Sequence, residues 1–340
     1  MTLPVRAGLF AALIATPLHA EVPRVVTDIA PVHALVAQVM DGVGEPTVLM
    51  PRGSDPHGYA LRPSEAAALA DAELVFWIGA ELTPALARSL DTLGEGAEVI
   101  TLLEHTESGL FDFREGALFD AHDHGHGDPG SHDEDAHGHE EHGQDEHAHD
   151  DHGHDEHARD EHAHDDHGHD EHAHAGADPH AWLDPRNGPA RLGTIAEALA
   201  AADPANAETY RGNATEGRAL LAETEDRIAE RVSGLDGVPF VVFHDKYQYF
   251  ERRFGIGPVA PLSLADNATP GAARLAEIRD AVAERGIRCA VIEPQTDRDL
   301  VAAVVEDATV GVVDPLKPDA GPGYYAALLD ETAQAFAACR

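Results

Sequence analysis

Short runs of β-branched and aromatic residues alternate with helical patterns along most of the chain. In the first half these runs are RVVTDI (24–29), TVLM (47–50), ELVFWIG (73–79) and EVITLL (98–103). In the second half they are VPFVVFH (238–244), IRCAVIE (287–293) and TVGVVD (309–314). Strands that alternate with helices pair in parallel, and helices cover both faces of the sheet. The sequence therefore predicts an α/β fold of two Rossmann-like lobes with parallel sheets.

Residues 185–234 contain no strand-like run and separate the two predicted lobes. Asp203 can cap a helix that has Pro204 at its first position, and apolar residues at helical spacing continue to about Arg231. A helix of about 28 residues would be about 40 Å long. We interpret it as a long rigid helix that joins an N-terminal lobe (21–184) to a C-terminal lobe (235–340). The alternative is a core helix of one domain.

A His/Asp-rich tract, residues 121–176, interrupts the N-terminal lobe and repeats DEHAHDDHGHDEHAR (145–159) as DEHAHDDHGHDEHAH (160–174). It has almost no large apolar residues, so it cannot bury enough surface to fold alone, and we predict a disordered insertion. Neutral imidazoles bind zinc, copper or nickel, and flexible ligands favour weak, exchangeable accessory sites. The alternative is a solvated polyampholyte. The accessory metal ligands predicted in the repeat are His147, His149, His152, His154, His162, His164, His167, His169, His172 and His174.

The amino terminus has the pattern of a secretory signal. Arg6 precedes the apolar run from Ala7 to Ala15, and Ala20 stands before Glu21, which predicts a signal peptide at residues 1–20 and a periplasmic protein. The alternative, a membrane anchor, needs about 20 apolar residues, which is more than this run provides.

Export places the two cysteines of the chain, Cys289 and Cys339, in an oxidising compartment, where a pair favours a disulfide. The alternative is two free thiols in a reducing compartment.

Several classes of function are excluded by residues that the chain lacks. The formal net charge is −39 and no cluster of Lys and Arg occurs, so nucleic acid is excluded as a partner. No GxxxxGK[ST] loop is present, so the chain does not hydrolyse ATP itself.

Three histidines outside the tract share a setting. His57 follows the run TVLM, His180 lies in ADPHAWLDPRN before the interlobe segment, and His244 ends VPFVVFH. Ligands of open α/β sheets bind beyond the carboxyl ends of the strands, and Asp314 at the end of TVGVVD has the same kind of position. Both lobes would thus offer metal ligands to one crevice.

The runs GSDPHGYALRPS, DPHAWLDP, VVFHDKYQYFE, IEPQ and VDPL resemble, in order and spacing, the metal-binding proteins of bacterial ABC importers for zinc and manganese. The resemblance is to the zinc-uptake periplasmic branch (ZnuA type), and it covers nearly all of the mature chain. It implies two α/β lobes, a long connecting helix and one metal ion between the lobes. His57, His180 and His244 match the three histidine ligands, and Asp314 matches the carboxylate ligand of the manganese relatives.

One departure leaves the fourth metal contact open. Pro56 stands where some zinc members carry an acidic residue, so the fourth ligand is Asp314, water or Asp55. Manganese relatives generally carry a carboxylate at the position of His244, whereas three imidazoles suit tetrahedral zinc.

The resemblance implies a monomer that captures Zn²⁺ as cargo and delivers it to a membrane permease driven by a separate ATPase. Two alternatives keep the scaffold, namely a manganese-importer binding protein and a metal adhesin or chaperone. A third is a secreted zinc hydrolase, because three histidines with an open position are also the layout of catalytic zinc. Glu293 or Asp245 would then be the general base. His33 and His105 are interpreted as surface or packing residues.

Overall fold

The structure is a computed structural model that describes residues 22–51, 53–114, 176–258, 260–263, 270–317 and 321–340. The predicted signal peptide and the tract up to residue 175 lie outside the described residues, so their cleavage, disorder and metal binding stay predictions. Across the described ranges, no helix is both long enough and apolar enough to span a bilayer.

The N-terminal lobe contains a parallel four-stranded sheet in the order β2-β1-β3-β4. Its strands are β1 (Val25–Thr27), β2 (Thr47–Val48), β3 (Leu74–Trp77) and β4 (Glu98–Thr101). Its helices are α1 (Ala30–Met40), α2 (Pro63–Ala70) and α3 (Pro84–Leu93). Alternate residues of a strand point to opposite faces, and Val25 packs with the cluster of α1 whereas Val26 packs with Leu69 of α2. The sheet is therefore covered on both faces, as its strand sequences predict.

The C-terminal lobe repeats this arrangement with a parallel sheet in the order β6-β5-β7-β8. Its strands are β5 (Val241–His244), β6 (Ala260–Ser263), β7 (Cys289–Ile292) and β8 (Thr309–Val312). The helices of this half are α6 (Gln248–Phe254), α7 (Ala272–Arg285), α8 (Arg298–Val304) and α9 (Tyr324–Ala337). The sequence analysis did not predict β6, whose Pro261 lacks a backbone N–H. An edge strand tolerates such a residue, and β6 lies at the edge of its sheet.

The interlobe segment forms two packed helices, α4 (Asn187–Ala202) and α5 (Ala207–Val232). With 26 residues, α5 is about 39 Å long and packs on α1 of one lobe and on α9 of the other. A side chain at Gly217 would lie 2.9 Å from a Leu192 methyl group and 3.0 Å from Gln38, so glycine permits this close packing. The long connecting helix is confirmed.

The start predicted for that helix is wrong. Pro204–Asn206 form a 3-10 turn, and Asp203 is buried beneath it. One Asp203 oxygen accepts hydrogen bonds from Asn206 Nδ2 at 2.7 Å and from the Tyr210 hydroxyl at 3.0 Å. Asp203 therefore stabilises the turn before α5 rather than capping the helix.

The predicted disulfide is present between Cys289 of β7 and Cys339 after α9, across a sequence separation of 50 residues. Beside the disulfide, α9 packs directly against β8. The contact is so close that a side chain at Gly311 would collide with the carbonyl group of Ala335. The crosslink thus holds the last helix on the sheet that carries His244.

Candidate metal centre

His57 lies in a turn after β2, at the edge of the N-terminal sheet. Its backbone N–H donates to Asp55 Oδ1 at 3.0 Å, and its side chain is half-buried. An aspartate that accepts the N–H two residues ahead forms an Asx turn, so Asp55 shapes the loop that presents His57.

His180 is buried, with 1% of its surface exposed, just before a 3-10 turn at Ala181–Leu183. Asp178 Oδ1 accepts the His180 backbone N–H at 2.9 Å and lies 2.7 Å from its Nδ1. A carboxylate only accepts hydrogen bonds, so in the neutral imidazole the proton belongs on Nδ1 and the free lone pair on Nε2. This is the carboxylate–histidine arrangement that orients metal ligands.

The sequence analysis did not single out Asp178. Its signal was the short spacing Asp-Pro-His, which also occurs at residues 55–57. The second Asp178 oxygen accepts from Gln248 Nε2 of α6 at 3.3 Å, a contact between residues 70 positions apart. Spacing alone could therefore have suggested the turn but not the buried partner.

His244 is the last residue of β5, a central strand, and only 3% of it is exposed. Two residues later, Lys246 forms a buried ion pair with Glu293, 2.6 Å from Nζ to Oε1. Because Glu293 follows β7, this pair ties the ends of two neighbouring strands beside the histidine.

The fold brings the three imidazoles together from distant parts of the chain. Their ring centroids are 5.7 Å apart for His57 and His180, 6.2 Å for His57 and His244, and 5.5 Å for His180 and His244. A zinc ion about 2.0–2.1 Å from each nitrogen would place three tetrahedral ligand rings roughly 5–5.5 Å apart. The observed triangle is slightly wider, and its two longest sides both involve His57.

Within the described ranges, no group of three or more His, Cys, Asp or Glu side chains has the geometry of a preformed metal site. The three imidazole rings are nevertheless neighbours, with centroids 5.5 to 6.2 Å apart.

The remaining candidate ligands have separate settings. Asp314 is half-buried just beyond β8, and its Oδ1 accepts the Leu316 backbone N–H at 3.1 Å. His33 Nε2 lies 3.2 Å from the Pro46 carbonyl oxygen, and burial lowers the pKa of this imidazole. His105 is half-buried after a 3-10 turn. The ligand roles of His57, His180 and His244 stay predictions, as do those of Asp55, Asp314 and the tract histidines.

Both carboxylates considered as general bases are held in ion pairs. Asp245 pairs with Arg114, and Glu293 pairs with Lys246 and accepts from Gln295 Nε2 at 2.5 Å. Each of these carboxylates is thus already engaged by a cation. The geometry of these two side chains therefore gives no support to a zinc hydrolase.

Comparisons with known proteins agree with this arrangement. A family model described as zinc-uptake complex component A, periplasmic (ZnuA), matches residues 25–339. The high-affinity zinc uptake system protein ZnuA of Paracoccus denitrificans (strain Pd 1222) is 46% identical over 330 residues, covering 96% of this chain and 94% of that protein. The protein of the same name from Brucella abortus (strain 2308) is 41% identical over 327 residues, covering 95% and 93%.

Solved structures share the fold. A crystal structure of ZnuA has a TM-score of 0.68 at 20% identity and covers 93% of this chain and 98% of its own. The periplasmic zinc binding protein TroA from Treponema pallidum has a TM-score of 0.69 at 17% identity, with the same two coverages. The predicted fold of two α/β lobes with parallel sheets is confirmed. The chain belongs to the ZnuA family of periplasmic zinc-uptake components, which are solute-binding proteins and not enzymes.

Proposed function

We propose that this chain is the zinc-binding component of an ABC importer, which captures Zn²⁺ in the periplasm and delivers it to a membrane permease driven by a separate ATPase. The observation that carries the proposal is the triangle of His57, His180 and His244, with ring centroids 5.5–6.2 Å apart. The relatives are named high-affinity zinc uptake system proteins, which supports the same cargo.

The donor set favours zinc over manganese. Three imidazole nitrogens make a borderline-soft site, whereas manganese prefers carboxylate and other oxygen ligands. Asp314 or water would occupy the fourth position. Because the ligands must be neutral imidazoles, protons compete with zinc and its affinity should fall as the pH is lowered.

Release to the permease needs the crevice to loosen without large separation of the lobes. α5 packs on helices of both lobes, and Gln38 of α1 accepts the Gly323 backbone N–H, at the start of α9, at 2.8 Å. We therefore propose small movements of the ligand loops, foremost the edge loop of His57. We further propose that the protein acts as a monomer after cleavage behind Ala20, and that the tract histidines hold additional zinc weakly.

Zinc titration in competition with manganese tests the proposal on the full-length mature chain and on a variant lacking residues 121–174. We expect the full-length chain to bind one tight zinc equivalent and several weak ones, and the deletion to retain only the tight one. Manganese at the same concentration should not displace the tight zinc.

Three results would contradict the proposal. They are loss of the tight equivalent with the deletion, equal competition by manganese, and esterase or amidase turnover that follows zinc occupancy.

A further inference from the structure

Two segments flank the His/Asp-rich tract and form its attachment, which we call the insertion root (residues 108–114 and 176–180). They pair through an antiparallel bridge between Asp112 and Ala177. Beside this bridge the Asp178 backbone N–H donates to the Phe111 carbonyl at 2.7 Å. The root is thus a pair of segments joined by one antiparallel bridge, and its second segment ends at His180.

The root is fastened to α6 of the C-terminal lobe. The Tyr249 hydroxyl accepts the Phe111 backbone N–H at 3.1 Å and donates to the Asp178 carbonyl at 2.9 Å. Gln248 Nε2 donates to the Asp112 carbonyl at 3.1 Å as well as to the Asp178 carboxylate. The guanidinium carbon of Arg252 lies 4.3 Å from the Phe111 ring centroid. Both arms of the root therefore contact the helix that follows His244.

Arg114 extends this attachment to the metal centre. Its Nε and Nη2 both bind the Asp245 carboxylate, with Nε to Oδ2 at 3.0 Å, and its Nη1 binds Glu251 Oε2 at 2.7 Å. The side chains of Arg114, Asp245 and Glu251 are 19%, 12% and 2% exposed. A two-pronged guanidinium bond fixes a carboxylate in direction as well as in position. Asp245 is the residue after His244. By holding the Asp245 side chain, Arg114 fixes the backbone that carries the His244 imidazole.

We infer that Arg114 is a positioning residue of the metal centre, which sets the orientation of His244 through Asp245 and Glu251. The inference rests on the proposed function, because it assumes that His244 is a zinc ligand. The same root holds Asp178, the partner of His180. The insertion is therefore attached to the supports of two ligands rather than at a remote point of the surface.

The test uses Arg114→Gln in the full-length mature chain, with Arg253→Gln as the matched control. Arg253 lies on α6, the helix that carries Glu251. It binds Asp184 through two nitrogens at 2.7 and 2.8 Å and has the same 19% side-chain exposure as Arg114. The measurements are zinc affinity in competition with a chelating dye, the visible absorption spectrum of the Co²⁺-loaded protein, and thermal unfolding.

We expect Arg114→Gln to weaken zinc binding by about tenfold, as substitutions behind metal ligands commonly do, and to change the Co²⁺ spectrum. Arg253→Gln should lower the unfolding temperature comparably while leaving affinity and spectrum unchanged. Arg114→Lys should recover part of the affinity. The inference is overturned if both glutamine variants bind zinc within twofold of the parent, or if both lose the same factor.

His244→Ala separates this inference from the proposed function. If His244→Ala loses tight zinc binding while Arg114→Gln does not, only the role of Arg114 fails. If His244→Ala retains tight binding, the ligand set itself fails. Should Arg114→Gln not fold, Asp245→Asn weakens the same contact while the Arg114–Glu251 pair remains. Unchanged zinc affinity in Asp245→Asn would then overturn the inference.

Discussion

The tripeptide Asp-Pro-His occurs at residues 55–57 and again at 178–180, and the two copies form the same local turn in different surroundings. In each, the aspartate Oδ1 accepts the histidine backbone N–H, at 3.0 Å in the first and 2.9 Å in the second. The first follows a two-residue edge strand and leaves His57 half-buried. The second lies between the insertion root and a 3-10 turn, where Asp178 and His180 are each 1% exposed.

Burial changes what the aspartate does. Asp178 also holds the Nδ1 of His180 and is itself held by Gln248, so hydrogen bonds fix the orientation of this imidazole. His57 lies on a loop at the edge of the sheet. The two longest distances between the three imidazole rings both involve His57. A ligand that is already ordered loses less conformational freedom on binding. If both histidines bind zinc as proposed, we expect His180 to be the more fixed ligand and His57 the more adjustable one.

The largest expected effect separates the two histidines directly. His180→Ala should weaken zinc binding by about a hundredfold or more, beyond the usual range for residues behind a ligand. His57→Ala should cost less, about tenfold, because part of its binding energy is spent on ordering the loop. Competition titration with a chelating dye measures both, and His105→Ala, within twofold of the parent, is the control. Equal losses of zinc affinity in His57→Ala and His180→Ala would contradict the difference between the two histidines.

A smaller effect is expected from the two aspartates. Asp178→Asn keeps the size of the side chain but removes the charge that orients and polarises His180, and should weaken zinc binding by about tenfold. Asp55→Asn should change the affinity by less than about threefold, because an amide oxygen can still accept the backbone N–H of His57. The same titration measures both variants. A loss above tenfold in Asp55→Asn would instead make Asp55 a metal ligand.

Asp28, the residue after β1, is buried like Asp178, but it accepts hydrogen bonds from backbone N–H groups. It accepts the backbone N–H groups of Ile29 at 2.7 Å and Ile78 at 2.8 Å, and burial raises its pKa from 3.8 to about 7. The folded state thus holds this proton more tightly than the unfolded state does. The resulting stabilisation is complete below pH 3.8 and is lost as the pH rises through about 7.

We expect Asp28→Asn to remove this part of the pH dependence without changing zinc affinity. In the parent, the free energy of unfolding should fall between pH 4 and 7 with a slope of at most about 1.4 kcal/mol per pH unit from this group. Urea unfolding of the zinc-free protein at several pH values measures the slope. Identical slopes in the parent and the variant would show that Asp28 does not carry the proton.

Local patterns were sufficient for several parts of the molecule. The alternation of strand-like and helical runs predicted seven of the eight described strands, and the spacing of apolar residues predicted the long helix now seen as α5. These features depend on residues that are close together in sequence, so the periodicity of apolar residues is enough to predict them. The missed strand, β6, contains Pro261, whose effect depends on whether the strand lies at an edge or in the centre of the sheet.

The candidate metal centre shows the same difference between local features, which the sequence predicts, and distant contacts, which it does not. By itself the sequence determined seven of the eight described strands, the long helix and, through the resemblance of its motifs, the three histidines to consider. Only the tertiary structure decided that their rings stand 5.5–6.2 Å apart, that Asp178 orients His180, and that Arg114 reaches Asp245 across 131 positions. Turns and periodicity depend on bonds between near neighbours. The direction of a buried side chain instead depends on which distant groups are packed around it, and a linear pattern does not contain that information.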